Sequence, residues 1–208
     1  MLGASGDEAH PPCWLWKGVL LALTLALAGG LALSAAIGAG WNNPRPTIRP
    51  ECGPRGPILL RIAAPAEQAV YLLGQPMGPF TLEAVATPLD SPDLNGYGLI
   101  FRIQEPDRYD VFAVGSDGYL VVLRMEEGRE TSLLDWQPFP HVRRGRAANR
   151  LRLSCAEGVC RFWVNDEYVT SLPDDLGPHG DIGLWAYRFE GEEARVEFTQ
   201  VTVWENSP

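Results

Sequence analysis

The segment 149–166, NRLRLSCAEGVCRFWVND, constrains the fold more than any other part of the sequence. Leucines alternate with arginines over residues 150–153, which is the period-two pattern of a half-buried strand. A second apolar run, FWV, follows at 162–164, and the pair Glu157-Gly158 lies between the two runs, where glycine can adopt a positive φ. The segment is therefore predicted to be a β-hairpin with a two-residue turn.

The predicted turn places Cys155 opposite Cys160. Strand alternation makes these two cysteines a non-hydrogen-bonded pair, in which the Cα atoms lie roughly 4.5 Å apart. The Cα–Cα distance across a disulfide is about 4.4–6.8 Å. A cross-strand disulfide is therefore predicted, with two reduced cysteines on one sheet face as the alternative. A bridge would indicate an oxidising compartment. The spacing lacks the second ligand pair of a zinc site, so no metal is predicted there, and the sequence assigns no partner to Cys52.

The rest of the chain after residue 57 has the pattern of many short strands. Prolines and glycines, 18 and 22 in the whole chain, divide it into apolar or alternating runs at intervals of roughly ten residues. About eleven strands are predicted, and Tyr97, Leu99, Phe101 and Ile103 are expected on one face of their strand. The predicted fold class is all-β, an antiparallel sandwich or barrel, because no stretch there shows helical periodicity.

A family resemblance adds to this prediction. The runs that carry it are GYGLIFRIQEPDRYDVFAVGSDGYLVVL, NRLRL, FWVNDEYV, GDIGLWAYRFE and VEFTQVTVW, in this order. The region from about Pro79 to Trp204 resembles the concanavalin A-like lectin/glucanase superfamily, and is most similar to laminin-G-like and keto-disaccharide-hydrolase-like jelly rolls behind a membrane anchor. Asn165-Asp166 stands where that family usually has Asn-Gly. The resemblance implies a jelly-roll β-sandwich and says little about activity.

The N-terminal part contains a long apolar segment, residues 18–41, without any charged residue. As a helix it would be about 36 Å long, which exceeds the roughly 30 Å of the hydrocarbon core. A transmembrane helix or signal anchor that contacts membrane lipid is predicted, and a cleavable signal peptide is the alternative. The predicted organisation is a short tail (1–17), this helix (18–41), a Pro-rich stalk (42–57) and a sandwich domain (58–205).

The side of the membrane is predicted from conflicting signals. Lys17 precedes the apolar segment, whereas Arg45, Arg49 and Arg55 follow it, and the positive-inside rule would place the large domain in the cytoplasm. The predicted disulfide and the family resemblance favour the opposite side. A single-pass protein with its C-terminal domain outside the cytoplasm is expected. The net charge of −9 and the absence of a basic stripe in the sequence argue against a nucleic-acid partner.

No catalytic residue is predicted. Glycosidases of this superfamily place acids in an E-x-D-x-x-E pattern on one strand, and the nearest match is Glu105, Asp107 and Asp110. Pro106 interrupts it, and the segment is expected to be a turn. The histidines at 141 and 179 are predicted to lie in loops, with no nucleophile motif beside them.

Ligand binding is easier to support, since aromatic rings can stack on sugar rings. Trp136, Tyr109, Trp163 and Trp185 are the predicted ligand contacts, and for each ring a place in the core is the alternative. Trp136 has polar residues on both sides in the sequence, so a place in the core is least expected for it. No cofactor is predicted, except that Asp90, Asp93 and Asn95 could supply oxygen ligands to Ca²⁺, with a plain Asx turn as the alternative.

Together these features predict a membrane-anchored recognition domain outside the cytoplasm. It is expected to bind a glycan or an envelope protein without catalysis. One alternative is a carbohydrate-active hydrolase of the same fold, which would need a carboxylate pair on the concave sheet face. Another is a structural or accessory ectodomain of the cell envelope.

Overall fold

The computed structural model describes residues 13–38, 52–74, 78–90, 95–177 and 179–205. The chain divides into two compact units, residues 1–45 and 46–208. Their described parts contain one helix and thirteen strands. The elements are α1 (Cys13–Gly38), β1 (Cys52–Arg55), β2 (Ile58–Ala63), β3 (Gln68–Leu72), β4 (Phe80–Pro88), β5 (Asn95–Glu105), β6 (Arg108–Gly115), β7 (Tyr119–Glu126), β8 (Arg129–Pro138), β9 (Asn149–Ala156), β10 (Val159–Val164), β11 (Glu167–Pro173), β12 (Asp181–Arg188) and β13 (Glu193–Glu205).

The helix α1 falls on the predicted apolar segment. Over Lys17–Ala35 it is long and apolar enough to cross a membrane, and a signal sequence can have the same length and composition. It ends at Gly38, and residues 39–41 of the predicted span lie outside the described residues.

The second unit is a sandwich of two antiparallel sheets, which confirms the predicted fold class. The first sheet has the strand order β1-β13-β4-β9-β10-β11, and β2 also pairs with β13. The second sheet has the order β3-β12-β5-β6-β7-β8. Strand β13 pairs with two strands along the same edge, with β2 through its first half and with β1 through its second half. Its register with β4 shifts between these halves, from Thr199 to Thr202.

The main core lies between the two sheets and follows the strand alternation. Alternate residues of β4 and β9 are buried in it, as are Phe112 and Val114 of β6, because successive side chains of a strand point to opposite faces. Its largest fully buried apolar side chains are Phe80, Leu82, Tyr97, Leu99, Phe101, Phe112, Leu120, Phe162, Phe198 and Ile62. A second, smaller cluster lies on the outer face of the second sheet and includes Val111, Val121 and Trp185.

The hairpin of β9 and β10 has the predicted register. Ala156 faces Val159 and Cys155 faces Cys160, with the two cysteine Cα atoms 4.0 Å apart and their sulfurs joined in a disulfide. Both turn residues, Glu157 (φ 54°) and Gly158 (φ 74°), are left-handed, as a two-residue type I′ turn requires. The predicted turn and the predicted disulfide are confirmed.

Two predicted details differ from the structure. Ile103 does not share a face with Phe101, because Arg102 adopts a positive φ of 54° and the β5–β6 register shifts there. The side chain of Ile103 therefore packs on the outer cluster. In addition, β1 lies inside the predicted stalk, since Cys52 and Arg55 pair with β13. The sandwich thus begins at Cys52, and residues 42–51 of the stalk lie outside the described residues.

Two buried ion pairs tie loops and strands of the sandwich together. The Arg102 guanidinium donates to both carboxylate oxygens of Asp174, the shortest distance being 2.6 Å. Arg124 donates to Asp110 at 2.8 and 3.0 Å. Breaking such a pair leaves an uncompensated buried charge. These residues are therefore structural rather than available to a ligand.

Candidate functional site

A groove of about 630 Å³ opens on the outer face of the second sheet. Five aromatic residues line it, and we refer to it as the aromatic groove. They come from β6, β8, β12 and the residue that follows β12. The rings belong to Tyr109, Trp136, Trp185, Tyr187 and Phe189.

Four of these rings form a continuous chain of contacts. The Trp136 ring meets Phe189 edge-on, with centroids 5.8 Å apart, and Phe189 lies 5.1 Å from Tyr187. The Tyr187 ring is stacked on Trp185 at 5.7 Å, with only 16° between their planes. Aromatic pairs at these distances favour tilted or offset arrangements and hold one another in place. The rings therefore form an ordered surface before any ligand arrives.

The alternation of strand β12 sets the positions of three rings. Trp185, Tyr187 and Phe189 are two residues apart, so they project from the same face. On the neighbouring strand β5, Gly96 leaves space for them: a Cβ atom at that position would lie 3.4 Å from the Phe189 ring and 3.5 Å from the Trp185 ring. A methyl group at that position would make van der Waals contact with both rings, so residue 96 forms part of the surface on which they pack.

Exposure is graded across the aromatic groove. Phe189 is 48% exposed and Trp136 is 36% exposed, whereas Trp185 and Tyr109 are each 5% exposed. The first two rings are open to a ligand, and the other two form the floor. The edges of rings are weakly positive and their faces negative, so the exposed faces suit the C–H groups of a sugar ring or a cation.

Polar groups come from the residues before and within β3 and from β8. The Trp185 Nε1 donates to Gln68 Oε1 at 3.1 Å, and the Tyr187 hydroxyl donates to Glu67 Oε2 at 3.2 Å. Glu130 also lines the groove. Burial raises the pKa of the Tyr187 phenol, and the carboxylates of Glu67 and Glu130 raise it further because they oppose a phenolate charge.

The structure brings three of the four predicted ligand contacts together. Trp136, Tyr109 and Trp185 all line the aromatic groove. Trp163 does not, because β10 belongs to the first sheet. Its ring lies under the Arg152 guanidinium at 4.6 Å and meets the edge of Tyr168 at 6.0 Å. With 7% exposure, Trp163 is a packed residue of the first sheet.

Sequence reasoning missed most of the lining of the groove, including one exposed ring and all of its polar side chains. Phe189 comes directly before the acidic turn at 190–193, and Glu67 and Gln68 come from a weakly patterned loop and strand start. Glu130 lies in a polar run, RETS over 129–132, that gives no sign of a groove. The one usable signal was the alternation W-A-Y-R-F over 185–189, which places three aromatic residues on one face.

Two of the three residues predicted as calcium ligands, Asp90 and Asn95, are engaged within the sandwich. Asp90 accepts three hydrogen bonds from Arg195, which hold the pKa of its carboxyl below the usual value. Asn95 is buried, and its side-chain oxygen accepts a hydrogen bond from the Ser116 hydroxyl. Asp93 lies outside the described residues, so a calcium site that includes it stays a prediction.

The acidic residues of the series 105–110 do not line the groove, although Tyr109 between them does. Pro106 and Asp107 form the turn between β5 and β6, and Asp110 is buried in its ion pair with Arg124. Burial raises the pKa of Asp110 and the guanidinium beside it opposes that change. His141 and His179 are both exposed in loops. Neither of these histidines lines the aromatic groove.

Comparison with known proteins identifies the fold. No family model matches the sequence. No curated protein matches it either. Among solved structures, the carbohydrate binding module CBM66 from Bacillus subtilis superposes with a TM-score of 0.56 at 17% identity, over 66% of this chain and 81% of that one. A native glycosidic hydrolase superposes with a TM-score of 0.51 at 9% identity, over 66% and 70%.

A third structure, the galectin LEC-6 of Caenorhabditis elegans, has a TM-score of 0.45 at 16% identity, over 70% of this chain and 96% of the galectin. The likeness to the first two, at such low identity, concerns the fold. It confirms the resemblance that the sequence predicted: residues 52–205 have the lectin/glucanase-like jelly-roll fold, and an apolar helix precedes them.

Proposed function

We propose that this protein is a membrane-anchored recognition protein that binds glycans in the aromatic groove without cleaving them. The observation that carries the proposal is the chain of four touching rings, of which Trp136 and Phe189 are open to a ligand. Small-molecule sites are typically concave and mostly apolar, with a few placed polar groups. Gln68 and Glu67 supply such groups beside the rings.

The helix α1 supports the anchoring part of the proposal. Its two hydroxyl side chains are satisfied within the helix: Thr24 donates to the Leu21 carbonyl at 2.8 Å and Ser34 to the Gly30 carbonyl at 2.9 Å. Polar groups in a lipid environment need such internal partners. The disulfide of the hairpin supports a location outside the cytoplasm, where disulfides persist.

A glycan array with the purified full-length chain in detergent tests the binding. Binding of at least one glycan class is expected, with loss of signal in the double variant Trp136→Ala/Phe189→Ala. The matched control is Tyr168→Ala, an aromatic residue of similar exposure on the first sheet. An array signal that survives the double variant would refute the groove as the binding site. Protease protection in intact cells tests the location, and a protected sandwich would refute it.

One observation favours a second function, glycan hydrolysis. Two carboxylates, Glu67 and Glu130, line the same groove, and glycosidases use a carboxylate pair across the scissile bond. Product analysis after incubation with the bound glycans decides between the two functions. Products that disappear in Glu130→Gln would establish the hydrolase; intact glycans support recognition. If no glycan binds on the array and no cleavage product is found, the accessory envelope ectodomain is favoured.

A further inference from the structure

The described lining of the aromatic groove carries negative charge and no positive charge. Glu67 and Glu130 are exposed carboxylates, and the other described lining residues are uncharged. The ring faces add to this, because the quadrupole of an aromatic ring is negative above its plane. A ligand in the groove therefore meets electron-rich faces and carboxylates together.

Neither carboxylate is neutralised by a neighbour in the described part of the chain. Glu67 accepts one hydrogen bond from the Tyr187 hydroxyl, and no ion pair within the described residues includes Glu67 or Glu130. Arg188 follows Tyr187, but its guanidinium donates to the main-chain carbonyls of Ala66 and Gly191. Two of its nitrogens thus bind the backbone, and its charge lowers the pKa of the Tyr187 phenol by less than the charge of Glu67 raises it.

We propose that the aromatic groove selects glycans that carry positively charged amino groups, such as oligosaccharides of glucosamine, over neutral and acidic glycans. This inference rests on the proposed function and specifies its ligand class. An ammonium group within about 6 Å of a ring centroid is attracted by the ring face, and the same group can pair with a carboxylate. Acidic sugars meet two like charges, which disfavours them.

The expected selectivity is moderate, because both carboxylates are exposed to solvent. Exposed ion pairs and exposed cation–π contacts each strengthen binding by roughly twofold to fivefold. A ligand amine that makes one contact of each kind is expected to gain about tenfold over its acetylated form. Because surface charge pairs are screened, this advantage should shrink as the salt concentration rises above physiological strength.

Isothermal titration of the full-length chain in detergent with three matched hexasaccharides tests the proposal. The probes are the glucosamine hexamer, the N-acetylglucosamine hexamer and a galacturonic acid hexamer. We expect the glucosamine hexamer to bind about tenfold more tightly than the acetylated one, and the acidic hexamer to bind most weakly. In Glu67→Gln/Glu130→Gln the preference should disappear while the affinity for the acetylated hexamer is kept.

The matched control changes the same charge elsewhere: Glu157→Gln/Glu205→Gln alters two exposed carboxylates of the first sheet. This control should retain the preference. If the N-acetylglucosamine and glucosamine hexamers bind equally tightly, and both lose binding in Trp136→Ala/Phe189→Ala, the charge selectivity is overturned. Glycan binding in the groove would then still stand. If the control also loses the preference, the effect is one of net charge and the proposal is refuted. If none of the three hexamers and no glycan on the array binds, both proposals are refuted.

Discussion

The two sheets of the sandwich both carry aromatic residues on their outer faces, but they use them differently. On the second sheet, Trp136 and Phe189 stand open at the end of a chain of touching rings. On the first sheet, the Arg152 guanidinium covers the Trp163 ring at 4.6 Å, and Trp163 retains only 7% exposure. One face leaves two rings open to solvent, and the other covers its tryptophan.

The difference shows that residue type does not define a binding face here. Both strands carry a tryptophan in an apolar run, Trp163 in β10 and Trp185 in β12. The neighbours across the sheet decide the outcome: Arg152 lies directly opposite Trp163, whereas a glycine, Gly98, lies opposite Trp185. A guanidinium covers the ring in the first case, whereas in the second the opposite residue has no side chain, because a Cβ there would clash with the backbone of β6.

The largest expected effect concerns the covered tryptophan. Trp163→Ala should lower the free energy of unfolding by about 3 kcal/mol, because it removes a buried ring and leaves a cavity. Glycan affinity should not change. Denaturant unfolding and titration of the same protein sample measure the two quantities. Tyr168→Ala, which removes a half-exposed ring beside it, should cost much less. A fall in affinity in Trp163→Ala at unchanged stability would contradict the comparison.

The open rings should show the opposite behaviour. Trp136→Ala/Phe189→Ala should weaken glycan binding about 30-fold, as loss of aromatic contacts at the centre of an interface does, which corresponds to about 2 kcal/mol. The change in unfolding free energy should be smaller than in Trp163→Ala, since both rings are exposed by a third or more. Titration calorimetry with a denaturation curve on each variant measures both. Unchanged affinity would remove the aromatic groove as the site.

The disulfide hairpin belongs to the first sheet and should affect stability alone. Cys155→Ala/Cys160→Ala should lower the free energy of unfolding by about 2 kcal/mol, the chain-entropy value for so short a loop. Glycan affinity should be retained because β9 and β10 do not line the groove. Chemical denaturation and titration without reductant measure these. A loss of binding in the folded variant would show that the two faces are coupled.

The smallest effect concerns the acidity of the groove. Burial and the carboxylates of Glu67 and Glu130 raise the pKa of Tyr187 above its ordinary value of 10.0. In Glu67→Gln/Glu130→Gln this pKa should fall, because less negative charge opposes the phenolate. Spectrophotometric titration of the tyrosines measures it, and Tyr187→Phe assigns the transition. A pKa of Tyr187 that is equal in both proteins would show that the carboxylates do not act on the groove.

The local features of the fold could be predicted from the sequence. The hairpin register, the turn at Glu157-Gly158 and the disulfide follow from alternation and turn chemistry within eighteen residues, 149–166. The face of Ile103 could not be predicted in this way. Its position depends on the irregularity at Arg102, which takes a positive φ that side chains adopt uncommonly.

The composition of the groove depends on contacts between distant parts of the chain. Gln68 and Trp185, which share a hydrogen bond, are 117 residues apart. Alternation predicts that Trp185, Tyr187 and Phe189 share a face. It does not predict that β3 lies beside them or that β8 brings Trp136 to the same groove. For the same reason, alternation could not separate Trp163 from Trp185. Strand order, which is set by the whole sandwich, makes that distinction.

The most direct test of the account follows the indole N–H signals of Trp136, Trp185 and Trp163 by NMR. The full-length chain in detergent is titrated with the tightest-binding oligosaccharide of the array, and Trp→Phe variants assign the three signals. If the aromatic groove is the binding site, the signals of Trp136 and Trp185 will shift in proportion to ligand occupancy while that of Trp163 stays in place. A shift confined to Trp163 would contradict this assignment and would move the binding face to the first sheet.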